Sequence, residues 1–173
     1  MKYLRYLKYL LRHKCFVFCA CLQYRLIWLG IIHDWSKILP DEFIPYARHF
    51  YGNSGMKEGR DESGYYKPTD TGDKDFDFAW VLHQKRNKHH WQWWLLPEDE
   101  SGAKILEIPH PYRLEMICDW IGAGRALKTG TAQSWYEKNK HKLQLHPATR
   151  VFVESVLESP SNCPKKLPRE AIS

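Results

Sequence analysis

Apolar residues recur at helical spacing through most of this chain, and nowhere is there a sustained alternation of the kind a half-buried strand needs. Between Lys2 and Ala20, Leu4, Leu7, Leu11 and Val17 stand among Lys and Arg, as on a helix with one buried face. The same spacing predicts helices from about Tyr24 to Lys37, where Pro40 ends the run, and through "DEFIPYARHFY", where Pro45 limits regularity. It resumes in "FDFAWVLHQKRNKHHWQWWLL" up to Pro97, in "YRLEMICDWIGAGRAL", closed by Gly122 and Gly124, and in "HPATRVFVESVLES", with Pro147 near its start. The expected fold is an all-α helical bundle.

A length of 173 residues, with 43% hydrophobic and 14% aromatic content, suits one domain with a real core. That domain is expected over residues 1–159. Within it, residues 52–75 are rich in Gly, Asp, Ser and Lys and nearly free of aliphatics, which predicts a long loop, either a lid or a mobile insertion. "PEDESGAKILEIPHP" reads as a second irregular connection, and residues 160–173 as a loose tail. The stretch "CFVFCACLQYRLIWLGII" approaches the length of a membrane span, but Gln23 and Arg25 stand in its middle, so two buried helices with a break near Gln23 are expected and no membrane partner. An odd set of five cysteines with no preceding secretory signal pattern predicts reduced thiols and a cytoplasmic location. The net charge of +6 favours anionic partners: nucleotides, nucleic acid or acidic surfaces.

Chemistry concentrates where ionisable side chains interrupt apolar helices. His13 lies on the first helix. In "LGIIHDWSKILPDEF" the neighbours His33 and Asp34 leave an apolar run and must be solvated, paired or bound to a metal. Asp119 sits among Leu114, Met116, Ile117 and Ile121, where an unpaired carboxylate is costly, although a helix-surface aspartate four residues after Glu115 is the plain alternative. His83 and His90 are two turns apart, too far for one ion on a continuous helix; if the helix ends near Asn87, His89 and His90 can fold back. Otherwise "HQKRNKHH" is a basic patch for phosphate or nucleic acid. Mixed imidazole and carboxylate donors suit Mn, Fe, Zn or Ni, and Mg if several carboxylates take part.

The ordered set His13, then "HDWSK", His83, the pair His89 and His90, and Asp119 resembles the HD-domain superfamily of metal-dependent phosphohydrolases over roughly His13 to Gly124. The order is most similar to the branch that hydrolyses cyclic dinucleotides, and "HDxSK … EF" resembles small HD-like proteins of phages and bacteria. The glycine-tyrosine-proline signature of that branch is absent, no glutamate follows the histidine pair, and Lys37 stands where nucleotidase members carry a catalytic glutamate. The resemblance implies one or two divalent ions, with Asp34 as the bridge, His13, His33 and Asp119 around it, and His83, His89 and His90 on a second ion. Which of His89 and His90 points inward stays open.

By the same resemblance the reaction is hydrolysis of a nucleotide or related phosphate ester by metal-activated water, with Lys37 on a phosphate oxygen. Glu42 is expected as an extra ligand or proton carrier, and Arg60, Lys67 and Lys85 as further contacts to the substrate. Tyr65 and Tyr66 of the 52–75 loop are candidates to stack a base and Lys57 to pair with phosphate, and Trp91, Trp93 and Trp94 suggest a stacking wall, although tryptophans at this density are more often core. The competing expectations are a non-catalytic module that binds nucleotide or nucleic acid, and a nuclease of HD type. Homo-oligomers are common among the proteins resembled.

Overall fold

The computed structural model describes residues 1–52 and 71–159. Seven α-helices dominate: α1 Lys2–Gln23, α2 Ile27–Ile32, α3 Pro40–Tyr51, α4 Lys74–Arg86, α5 His110–Leu127, α6 Ala132–Asn139 and α7 Pro147–Glu158. The fold is an all-α bundle. Its only strands among the described residues, β1 Leu95–Pro97 and β2 Ala103–Ile105, form a small antiparallel hairpin with Leu95 opposite Ile105. Three residues a side are too few to show the alternation a sequence search looks for, which is why this segment reads as irregular.

The central helix α1 lies along α5 and also touches α2 and α3, with α3 against α4 and with α6 and α7 against α5. Its buried residues Tyr6, Leu10, His13, Val17 and Ala20 fall at alternating steps of four and three, one continuous stripe. Of the residues expected on the buried face only Val17 is there, and Leu4, Leu7 and Leu11 are exposed because the tyrosine and histidine side of the helix faces α3 and α5. Tyr6 belongs to an apolar cluster with Tyr46, Phe50 and Phe76 from α3 and α4. Val17, Ala20 and Cys21 belong to another with Leu114 and Cys118 of α5. His13 occupies the stripe between the two, so a polar group sits in a seam where the two clusters meet. A third cluster, with Ile117, Tyr136 and Val153, joins α5 to α6 and α7. Cys15, Cys19, Cys21 and Cys118 are free thiols.

The helix expected up to Pro97 stops at Arg86, and two further helical boundaries and one expected burial differ from the sequence expectation. The helix expected over 24–37 is two pieces: α2 stops at Ile32, Asp34 adopts the left-handed region (φ 52°, ψ 31°), and Trp35–Ile38 forms a single 3₁₀ turn. The expected break near Gln23 is present, but Ile27, Trp28 and Ile31 of α2 are exposed rather than buried. Gly122 and Gly124 do not close a helix. α5 runs through both to Leu127, with Lys128 in the left-handed region as its cap. Gly122 is required by closeness, since a Cβ there would stand 2.3 Å from Val17 Cγ2 and 2.9 Å from the Val17 amide nitrogen.

The 160–173 tail and most of the 52–75 loop, with Lys57, Arg60, Tyr65, Tyr66 and Lys67, lie outside the described residues; at the loop's ends, Lys74 and Asp75 already belong to α4. No helix among the described residues is long and apolar enough to cross a membrane.

Gly122→Ala should push α1 away from α5 and lower stability by about 1–3 kcal/mol, the usual range for overpacking a tight contact. Urea or thermal unfolding measures it, and a variant as stable as the parent would show that the approach at Val17 relaxes freely.

Candidate metal centre

The break at His33 makes the site possible. Adjacent residues on a regular helix point about 100° apart, so they cannot serve one point. Here His33 is extended (φ −48°, ψ 132°) and Asp34 is left-handed, a conformation Asp tolerates better than most residues. Both side chains then converge, with His33 Nε2 3.5 Å from Asp34 Oδ2. The Lys14 ammonium of α1 donates to the carbonyl of His33 and holds the turn in place.

Asp34 is 1% exposed, and its two oxygens face different partners. Oδ2 lies 3.3 Å from His13 Nε2 and 2.7 Å from Lys37 Nζ. Oδ1 lies 3.3 Å from His83 Nε2 and 3.4 Å from His89 Nε2. Asp119 Oδ1 closes the first side, 3.1 Å from His13 Nε2 and 3.4 Å from His33 Nε2. His90 Nε2 closes the second, 2.8 Å from His83 Nε2.

The structure therefore brings His13, His33, Asp34 and Asp119 into one group and Asp34, His83, His89 and His90 into another, the donor atoms of each within 4.8 Å of one another. Asp34 belongs to both. α4 ends at Arg86 with Asn87 extended as its cap, so both histidines of the pair fold back toward His83. The separation of two turns that a continuous helix would impose does not arise.

The donor atoms fit a cation on a second count. Nε2 of His13, His33 and His89 and Oδ1 of Asp34 are buried and make no hydrogen bond, although oxygens and nitrogens stand close by. Such atoms are rare in native interiors. A divalent ion in each group would satisfy them together, whereas no arrangement of protons on the rings does so with the present angles. These buried groups can hold a metal ion.

Behind the donors stand two carboxylates. Glu115 Oε1 is 3.0 Å from His33 Nδ1 and 3.3 Å from His89 Nδ1, so one residue orients a ring in each group. Glu42 Oε2 is 2.9 Å from His83 Nδ1 and accepts from Ser36 Oγ, while Glu42 Oε1 accepts from Arg86. The structure thus turns Glu42, expected as an extra ligand or proton carrier, to the far side of His83, where it orients the ring. Holding Nδ1–H in a hydrogen bond leaves Nε2 free as a lone-pair donor, the usual task of a carboxylate beyond the ligands. Asn87 donates to Ser36 Oγ and to the His83 carbonyl, tying the end of α4 to the same network.

The titration behaviour follows from this packing. Burial opposes charge on His33, but Asp34, Asp119 and Glu115 outweigh it and raise its pKa to about 10. Burial, followed by repulsion from the neighbouring histidines, lowers His89 and His90. Burial pushes against ionisation of Asp34, yet His33, Lys37 and His83 hold it well below the usual carboxylate range, and His13 and His33 do the same for Asp119.

The centre opens into a pocket of about 1180 Å³, counting the part continuous with solvent. His13, His89, His90 and Asp119 line its floor together with Lys37, and Trp80, Trp91, Trp120 and Trp135 line its walls. Lys37, 12% exposed, is at once paired with Asp34 and in contact with the pocket. Lys85 is exposed on α4 and does not line this pocket, because it projects from the face of α4 opposite His83. Arg60 and Lys67 fall outside the described residues. Of the three tryptophans proposed as a stacking wall, Trp91 lines the pocket, Trp94 packs on the α5 to α7 cluster, and Trp93 lies under the Lys88 ammonium.

Residues 2–159 match a family of unknown function (DUF5662). The chain belongs to that family. No curated protein and no solved structure matches it.

Sequence reasoning missed Glu115 as a site residue. Its signal is position: four residues before Asp119 on an apolar helix, it shares Asp119's face. Glu115→Gln should weaken divalent-metal binding by about 10- to 100-fold with the helical fold retained, as loss of an orienting carboxylate does; elemental analysis with a competing chelator measures it. Metal uptake must also displace the proton that His33 holds below its raised pKa of about 10. Affinity for Mn²⁺ should therefore fall as pH falls, by about tenfold per unit for each proton displaced. Calorimetric titrations between neutral and mildly alkaline pH, in buffers of different ionisation enthalpy, count the proton directly.

Proposed function

We propose that this protein is a metal-dependent phosphohydrolase of the HD type, acting on a nucleotide or a related phosphate ester. The observation that carries the reading is the shared carboxylate: two donor groups meet at buried Asp34, and their members His13, Asp119, His89 and His90 line a pocket that also presents the Lys37 ammonium. Groups that hold two cations side by side suit the displacement of a phosphoryl oxygen.

The nitrogen-rich donor sets favour Mn, Fe, Zn or Ni over Mg, which prefers oxygen and retains its waters. A divalent ion held there supplies Lewis acidity toward a phosphoryl oxygen and lowers the pKa of water. The chain's own residues do the remainder. Asp34, His13, His33 and Asp119 hold one position, and Asp34, His83, His89 and His90 the other. Glu115 and Glu42 fix the rings so that each presents Nε2. Lys37, kept near by Asp34, is placed to meet a non-bridging phosphate oxygen and offset charge that grows as the ester breaks. The surrounding rings, with Trp80 at 5.4 Å from His90 and Tyr46 at 5.9 Å from His83, keep the floor poor in water, which strengthens each of these interactions.

The test uses full-length protein loaded with Mn²⁺ or Fe²⁺ against a panel of 4-nitrophenyl phosphate, nucleoside monophosphates, cyclic dinucleotides and single-stranded DNA. Turnover of at least one class is expected. Asp34→Ala should abolish both metal retention and turnover, and Lys37→Ala should lower kcat by about a hundredfold, the scale of one lost electrostatic contact, while metal is retained. Metal-loaded protein that turns over no member of the panel, and binds nucleotide equally well in chelator, would replace this reading with a non-catalytic binding module.

A further inference from the structure

The outer face of α1 and α2 is apolar and open. Trp28 is 68% exposed, and Ile27, Ile31, Trp35, Leu7 and Leu11 are exposed with it. Ile27, Trp28 and Ile31 are on one short helix, α2, which lies on the Phe18 side of α1, where a Cβ on Gly30 would stand 3.0 Å from Phe18 Cδ2 and 2.9 Å from Cys21 Cβ. Leu11 and Leu7, seven and eleven residues before Phe18, fall on that same side of α1 by helical spacing. The face points away from the metal centre, which α1 meets through Tyr9 and His13. Scattered apolar residues on a surface need no explanation; a contiguous set with tryptophan in it does.

Charge specifies the occupant. The first 33 residues hold six of the 26 Lys and Arg and none of the 20 Asp and Glu, so the rest of the chain is balanced and the net +6 resides here. Lys8, next to Leu7, and Arg25, two residues before Ile27, are exposed beside these apolar residues, whereas the Arg12 guanidinium lies over Phe16 and reaches the Arg125 carbonyl of α5. A second copy meeting this face across a two-fold axis would bring like charges together. An anionic surface has the opposite effect, and tryptophan and isoleucine among basic residues match the boundary between lipid headgroups and acyl chains.

We propose that the α1 and α2 face docks the protein on an anionic lipid surface, with Trp28 and Ile31 entering the headgroup boundary and Lys8 and Arg25 pairing with lipid phosphates. No helix crosses the bilayer in this arrangement, in keeping with the absence of a long apolar helix among the described residues. The metal centre takes no part in the docking, so the proposal stands independently of the proposed hydrolysis.

Co-sedimentation of the full chain with vesicles decides the matter. Phosphatidylcholine vesicles with about one-third phosphatidylglycerol should carry down at least about tenfold more protein than phosphatidylcholine alone, and high salt should release it. A Trp28→Ser, Ile31→Ser double variant should lose about tenfold in binding to the anionic vesicles while keeping its unfolding temperature and metal content. Lys8→Ser with Arg25→Ser, which changes exposed charge and leaves Trp28 and Ile31 in place, should weaken the same binding and flatten its salt dependence. Equal recovery in the supernatant with both vesicle types overturns the proposal, as does vesicle binding that survives both variants. A stable dimer in solution that the Trp28 and Ile31 variant dissociates would assign the face to a second copy and overturn it too.

Discussion

A single buried carboxylate organises this fold. Asp34 is charged, out of water and divided between two sets of imidazoles, and an unpaired carboxylate there would be unaffordable. Its partners arrive from α1, from the turn after α2, from α4 and from the segment after α4, and α5 meets three of the same histidines through Asp119 and Glu115. Each helix must therefore be positioned to within a fraction of an ångström by the apolar clusters on either side. The Tyr6 cluster anchors α3 and α4 to the N-terminal half of α1, and the Val17 cluster anchors α5 to its C-terminal half. The polar seam is stiff because both of its walls are packed.

What the sequence made legible was periodic and local. The spacing of leucines on α1 and of apolar residues on α5 gives helices whatever surrounds them, and the order of His and Asp residues raised the question of a shared cation. The turn at His33 and Asp34 was not legible, because a helix through Lys37 satisfies the local pattern equally well. Lys14, nineteen residues earlier, and the need to aim Asp34 at four imidazoles override it. Gly122 reads as a stop signal for the same reason: only the presence of Val17 in space shows that it is a contact. Lys85 drew attention as one more cation in a basic run, but its turn of α4 faces solvent.

Glu42 and Glu115 show the finer limit. Both are acids within helices, as many surface residues are, and sequence assigned one a chemical role and the other none. In three dimensions they do related work. Each lies against imidazole Nδ1 atoms with its charge met by the rings or by Arg86 and Ser36. A carboxylate in this position acts on the metal through the ring it holds, so its effect on affinity should exceed what its distance from the donor atoms suggests. The distinction between a ligand and its support depends on which ring nitrogen is approached, and no spacing rule contains that information.

The two faces of α1 and α2 also explain why these helices tolerate such different chemistry. The inner face is constrained by the centre: Tyr9 and His13 line the pocket, and α2 ends in the turn that aims Asp34. The outer face carries the exposed Trp28, with the exposed Lys8 and Arg25 beside it. A helix is about 10 Å across, so a surface covering Trp28 would lie one helix thickness from the metal centre without closing the pocket, whose mouth is framed by α5 and α6 residues such as Trp120, Trp135 and Lys138. Both helices of the outer face also reach the centre: α1 carries His13, and α2 leads into the His33 and Asp34 turn, which the Lys14 ammonium ties back to α1 through the His33 carbonyl.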